Sequence, residues 1–145
     1  MMARQFPLAG LLRLKQLRED EAAGRLAEAN ERLRASRTRT RGIGEALEGT
    51  DLDPSGSASL YAAAAARASA RSMLADLHAL EGRLQAEREH AQVTYRGARA
   101  DTKGLEKLEA RHSEGEASAL LGAEQRVLDE IAAAGRLQRT GKDRA

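Results

Sequence analysis

The sequence predicts an all-α fold: a long antiparallel two-helix coiled-coil hairpin whose second helix extends beyond the first. Three observations predict it. Apolar residues recur in alternating four- and three-residue steps at Ala22, Leu26, Ala29, Leu33, Ser36, Thr40, Ile43 and Leu47, the spacing of a coiled-coil seam. A second such rhythm runs from Ala63 to His112 through Ala66, Ala70, Met73, Leu77, Leu80, Leu84, Glu87, Ala91, Thr94, Ala98, Asp101, Leu105 and Leu108. Between them lies one strong reversal signal, Gly49 to Ser57, which carries Asp53-Pro54 and Gly56 and stops a helix by removing a donor and freeing the backbone.

The first helix is expected over about 7–48, opening at Pro7, since proline is favoured in the first helical turn. Gly42 and Gly44 weaken its end, at about 1 kcal/mol each relative to alanine. The turn is expected at 49–57, and Ser57 or Ser59 can cap the second helix. That helix is expected over about 58–137, weakened in its far half by Gly97, Gly104, Gly115 and Gly122, with a polar, disordered tail over 138–145. The whole, 1–145, reads as a single coiled-coil domain.

Composition favours a thin seam over a thick interior. Aromatics are 2% of the 145 residues, Trp is absent, and charged residues reach 32%, so bulky core side chains are scarce. Many seam positions hold Ala, Ser or Thr, which bury little area, and stability without a partner is expected to be marginal. The sequence has no Cys, which removes disulfides and thiolate metal sites and makes the cytoplasm the default expectation. No stretch approaches the ~20 apolar residues of a membrane span, and Met1 to Gly10 lacks a signal-peptide core. Association with a membrane is therefore expected through a partner, without direct insertion.

The net charge of +2 is patterned. Glu21–Arg25 and Glu28–Arg32 are acid-first four-residue pairs, which support an exposed helix face. The run Arg32, Arg34, Arg37, Arg39 and Arg41 reads as arginines without matching acids, either a solvated face or a basic patch. Nucleic acid is not expected as a partner, because no aromatics interleave for stacking.

Nothing points to an enzyme or a cofactor. His78, His90 and His112 are scattered, no phosphate-binding glycine loop is present, and no histidine pair stands at metal spacing. His112 reads as a boundary residue of the seam. Asp129 and Glu130 are adjacent on a helix, face different directions, and make a poor acid–base pair.

Folding the chain about the middle of the turn sets Leu47 near Ala58 and Leu8 near Gly97. Everything beyond about Ala100 would then lack an internal partner while carrying Leu105, Leu108, Leu120, Leu121, Val127, Leu128, Ile131 and Leu137. An unpaired apolar stripe implies another protein or self-association. Leu8 and Leu12 continue the first seam backward, whereas Leu11, Leu14 and Leu17 project to other sides at 100° per residue. Those three either pack on the C-terminal extension or on a second copy, or form a docking surface.

Both ends of the chain carry family motifs. Phe6-Pro-Leu8, Leu11-Leu12-Arg-Leu14, Leu17-Arg18-Glu19 and Glu21-Ala22, followed by Leu26 and Ala29, resemble the start of the flagellar FliJ proteins. Glu124-Gln125-Arg126-Val-Leu128-Asp129-Glu130-Ile-Ala132 is similar to that family's closing motif. The resemblance implies a cytoplasmic component of the flagellar type III export apparatus, shaped like the stalk subunit of rotary ATPases and peripheral at the inner face of the cell membrane. It implies binding to the export ATPase hexamer, to the export gate membrane protein and to export chaperones, and action as a general export chaperone. Carried over by position, ATPase docking falls on Leu8, Leu11, Leu12, Leu14 and Leu17, with Leu128, Asp129 and Ile131 from the C-terminus. Gate docking falls on Leu60, Tyr61, Ala64 and Ala68, where Ala62 to Ala66 replace the further aromatics common in the family. The alternative is a generic coiled-coil scaffold or adaptor, or the stalk of another secretion or rotary system.

Overall fold

Two helices account for 93% of the described chain, with no strand among the described residues. The computed structural model describes residues 4–49 and 56–144. Helix α1 is Ala9–Glu48 and helix α2 is Ser57–Lys142. They pack against each other, and α2 is much the longer, with 86 residues against 40. The reversal expected at 49–57 falls largely on Thr50 to Ser55, outside the described residues.

Helix α1 begins two residues after Pro7. The Ala9 amide donates to the Phe6 carbonyl at 3.1 Å and the Leu12 amide to the Leu8 carbonyl at 2.9 Å, so Pro7, which has no amide to lose, sits in the opening turn. Helix α2 passes through Gly97, Gly104, Gly115 and Gly122 without a break and continues to Lys142, five residues into the stretch read from sequence as a disordered tail. Arg139 and Lys142 in its last turn explain the extension, since cations there complement the helix dipole.

The chain forms two compact units, one of residues 1–15 with 101–145 and one of residues 16–100. Each takes a stretch of both helices. In the larger unit, Glu19 accepts from Arg99 at 3.1 Å and Glu81 accepts from Arg37 at 3.0 Å. The α2 partner number falls as the α1 number rises, so the packing is antiparallel. In the other unit Arg4 meets His112 and Lys15 meets Asp101, again antiparallel.

This register corrects the one obtained by folding about the middle of the turn. Leu47 faces Ala66 and Ala70 instead of Ala58, and Phe6 faces His112, which puts Leu8 several residues beyond Gly97 along α2. The first turns of α2 lie past the end of α1, and α2 keeps an internal partner to about His112 instead of Ala100.

The α1 seam is the one the sequence spells: Ala22, Leu33 and Ser36 are buried, and Leu26, Ala29, Thr40, Ile43 and Leu47 are half-buried. The α2 seam is rotated. Ala63, Ala70, Leu77, Leu84, Ala91, Ala98, Leu105 and His112 face inward as expected, but the alternate positions are Arg67, Leu74, Arg88, Tyr95 and Thr102. Ala66, Met73, Glu87, Thr94 and Asp101 are exposed. Both series repeat every seven residues, and the second member of the heptad has moved by one residue except at Leu80, which is half-buried as expected with Glu81 half-buried beside it. The shift lets α2 turn Leu74, Tyr95 and Thr102 inward and keeps the carboxylates of Asp101 and Glu87 in water, which their desolvation cost favours. The buried apolar set is small: Leu12, Ala22, Leu33, Leu77 and Leu105.

Candidate docking surfaces

At the start of α1 the leucines recur every third residue. Three residues turn a helix by 300°, so each leucine lies 60° further from the seam than the one before it. Exposure rises in that order: Leu8 is 39% exposed, Leu11 41%, Leu14 44% and Leu17 61%. Leu12 departs from this line. It is buried on the seam, so among the residues assigned to ATPase docking it secures the helix and presents no surface. Leu8, Leu11 and Leu14 belong to the unit that also holds Leu128, Asp129 and Ile131, whereas Leu17 belongs to the other. Leu128 and Ile131 are exposed, as are Leu120, Leu121, Val127 and Leu137. Asp129 accepts a hydrogen bond from the Gln125 amide at 3.2 Å, an arrangement along one helix face.

The residues before α1 are held by a contact that sequence reasoning missed. His112 Nε2 donates to the Arg4 carbonyl at 2.9 Å, a role fixed because a carbonyl can only accept. The Phe6 ring packs against the same imidazole, with centroids 5.7 Å apart and planes tilted by 49°. His112 thus fastens the N-terminal segment to α2. Its place on the seam was legible; its partner depended on the register.

Leu60, Tyr61, Ala64 and Ala68 are all exposed, and Tyr61 is 77% so. Because α1 ends opposite Ala66 to Ala70, Leu60 and Tyr61 lie where α1 offers no covering residue. Periodicity alone could not show this.

Three of the five arginines of the run are paired, and Arg39 and Arg41 form no ion pair among the described residues. Glu28 accepts from Arg32 at 2.8 Å, Glu31 from Arg34 at 3.3 Å, and Arg37 donates across to Glu81 and to the Gln85 side chain at 2.9 Å. The acids that match Arg32 and Arg34 come from one turn earlier on α1 and the one that matches Arg37 comes from α2, a source invisible without the register. Arg99 likewise is held above the ordinary guanidinium pKa, chiefly by its hydrogen bond to Glu19 and then by Tyr95.

Among the described residues no group of His, Asp and Glu stands together as a metal site, and no helix is long and apolar enough to cross a membrane. What the surface offers is apolar helix faces, suited to other helices.

Comparison with known proteins agrees with that character. No curated protein and no solved structure gives a match. The family described as flagellar FliJ protein matches residues 4–141. Since that span includes the anchored N-terminal segment, all of α1 and nearly all of α2, the chain belongs to the flagellar FliJ protein family.

Proposed function

We propose that this flagellar export-related protein works without catalysis, as a binding component of the type III export apparatus. It docks to the export ATPase hexamer through Leu8, Leu11, Leu14 and Leu17 on α1 and through Leu128, Asp129 and Ile131 on α2. Leu60, Tyr61, Ala64 and Ala68 serve the export gate, and export chaperones are further partners. Its place is the cytoplasmic side of the membrane, reached through the gate.

The observation that carries this reading is the leucine line of α1, which leaves the seam in 60° steps and turns apolar side chains to solvent. Three such leucines on one helix have no role in the hairpin's own seam, and exposed apolar surface of this kind is a mark of protein docking. A pull-down of the export ATPase tests it. Leu11→Glu with Leu14→Glu should abolish retention of the ATPase while the helical circular-dichroism signal stays within about a tenth of the parent. Retention unchanged in the folded variant would remove these leucines from the interface.

A further inference from the structure

Past His112, α2 runs on for thirty residues to Lys142, and its charges are sorted. From 113 to 124 it carries Glu114, Glu116 and Glu124 and no Lys or Arg; from 132 to 142 it carries Arg136, Arg139 and Lys142 and no Asp or Glu. None of these six forms an ion pair among the described residues. Between and beside the two blocks lies the exposed apolar stripe of Leu120, Leu121, Val127, Leu128 and Ile131. On a helical wheel these five fall within about 120° of arc.

We propose that this face pairs with the same face of a second copy, antiparallel, as a two-stranded coiled coil. A two-fold axis near Asp129–Glu130 sets Leu128 against Ile131 of the second copy, and Leu121 against its Gln138. It lays the acidic block of each chain over the basic block of the other, with Lys142 opposite Ala117, next to Glu116, and Arg136 opposite Ala123, next to Glu124. Parallel pairing would stack acid on acid and base on base, which like-charge repulsion disfavours. A segment of this length exceeds the ~12–15 residues below which helices are marginal. With Glu124 and Gly135 inside the stripe, the dimer is weak and reversible. Leu128 and Ile131 are also residues assigned above to the export ATPase, so dimer and ATPase complex exclude each other. That consequence, unlike the dimer, rests on the docking reading.

Sedimentation equilibrium of the full chain tests the dimer without any ATPase present. The parent should pass from monomer to dimer mass between micromolar and submillimolar concentration. Replacing Glu114, Glu116 and Glu124 with Lys should keep the chain monomeric, as should replacing Arg136, Arg139 and Lys142 with Glu. An equimolar mixture of the two variants should recover dimer mass, since one then carries two basic blocks and the other two acidic ones. The sequence has no Cys, so mild oxidation of Leu121→Cys mixed with Gln138→Cys reports orientation, and the cross-link between the two different chains should dominate. A parent that stays monomeric throughout, a mixture that stays monomeric, or cross-links confined to like chains would each overturn the proposal. Unaltered helical content of the variants, read by circular dichroism, separates loss of pairing from loss of fold.

Discussion

Ser36 occupies a position that a leucine or alanine would fill more comfortably. It is buried on the α1 seam, its backbone carbonyl accepts from Thr40 at 3.0 Å, and its own hydroxyl has no hydrogen-bond partner. A buried hydroxyl without a partner costs about 1–3 kcal/mol of lost hydration. Alanine also has the higher helix propensity, by about half a kcal/mol. Ser36→Ala should therefore stabilise the chain by about 1 kcal/mol and raise the midpoint of thermal unfolding by a few degrees, followed by circular dichroism. A fall in the midpoint would show that the hydroxyl is bonded after all. The same scale explains why His112 eluded a functional assignment: an imidazole on a seam was readable, but the Arg4 carbonyl it meets lies 108 positions away in sequence.

Each helix presents one seam, and the two seams were unequally legible. On α1 the residues of the expected seam from Ala22 to Leu47 are all buried or half-buried, because the apolar neighbours one residue away, such as Ala23, Ala27 and Ala46, are no larger than alanine and compete weakly for the interior. On α2 two phases compete in every heptad. Met73 and Leu74 are adjacent and both apolar, and only the packing decides between them: Leu74 is half-buried and Met73 is exposed. Truncation distinguishes the two. Leu74→Ala should cost about 1–2 kcal/mol, below the 2–5 of a fully enclosed leucine, while Met73→Ala should stay within about 0.5 kcal/mol. Chemical denaturation of the two variants checks the order, and a larger loss at Met73 would restore the phase the apolar pattern favoured. Across the helices, Arg37–Glu81 and Arg99–Glu19 add little energy, as exposed pairs do; they mark the register more than they stabilise it.

Over the whole molecule, Tyr61 and Leu128, one from each proposed docking region, belong to different compact units. Neither side chain belongs to the buried set. Tyr61→Ala should impair gate binding or export while leaving ATPase retention near the parent level, and Leu128→Glu should do the reverse, each measured by pull-down alongside a motility assay. Equal loss of both partners from either substitution would point to general destabilisation of a thin seam, with few large buried side chains to spare.

The all-α class, two helices, the α1 seam and the family at both chain ends were determined by the sequence alone, since each rests on local spacing: period, breakers and short motifs act over a few residues. The register was not determined, because Ala-rich positions at 3.5-residue spacing fit their partners almost as well after a slip of one or more heptads. Tertiary packing chose it, and with it four things: the inward phase of α2, the α2 acid that meets Arg37, the anchor for the N-terminal segment, and the exposure of Leu60 and Tyr61 beyond α1. The physical reason is common to all four. A contact between residues far apart in sequence depends on the alignment of two whole helices, and no single residue's chemistry carries that information.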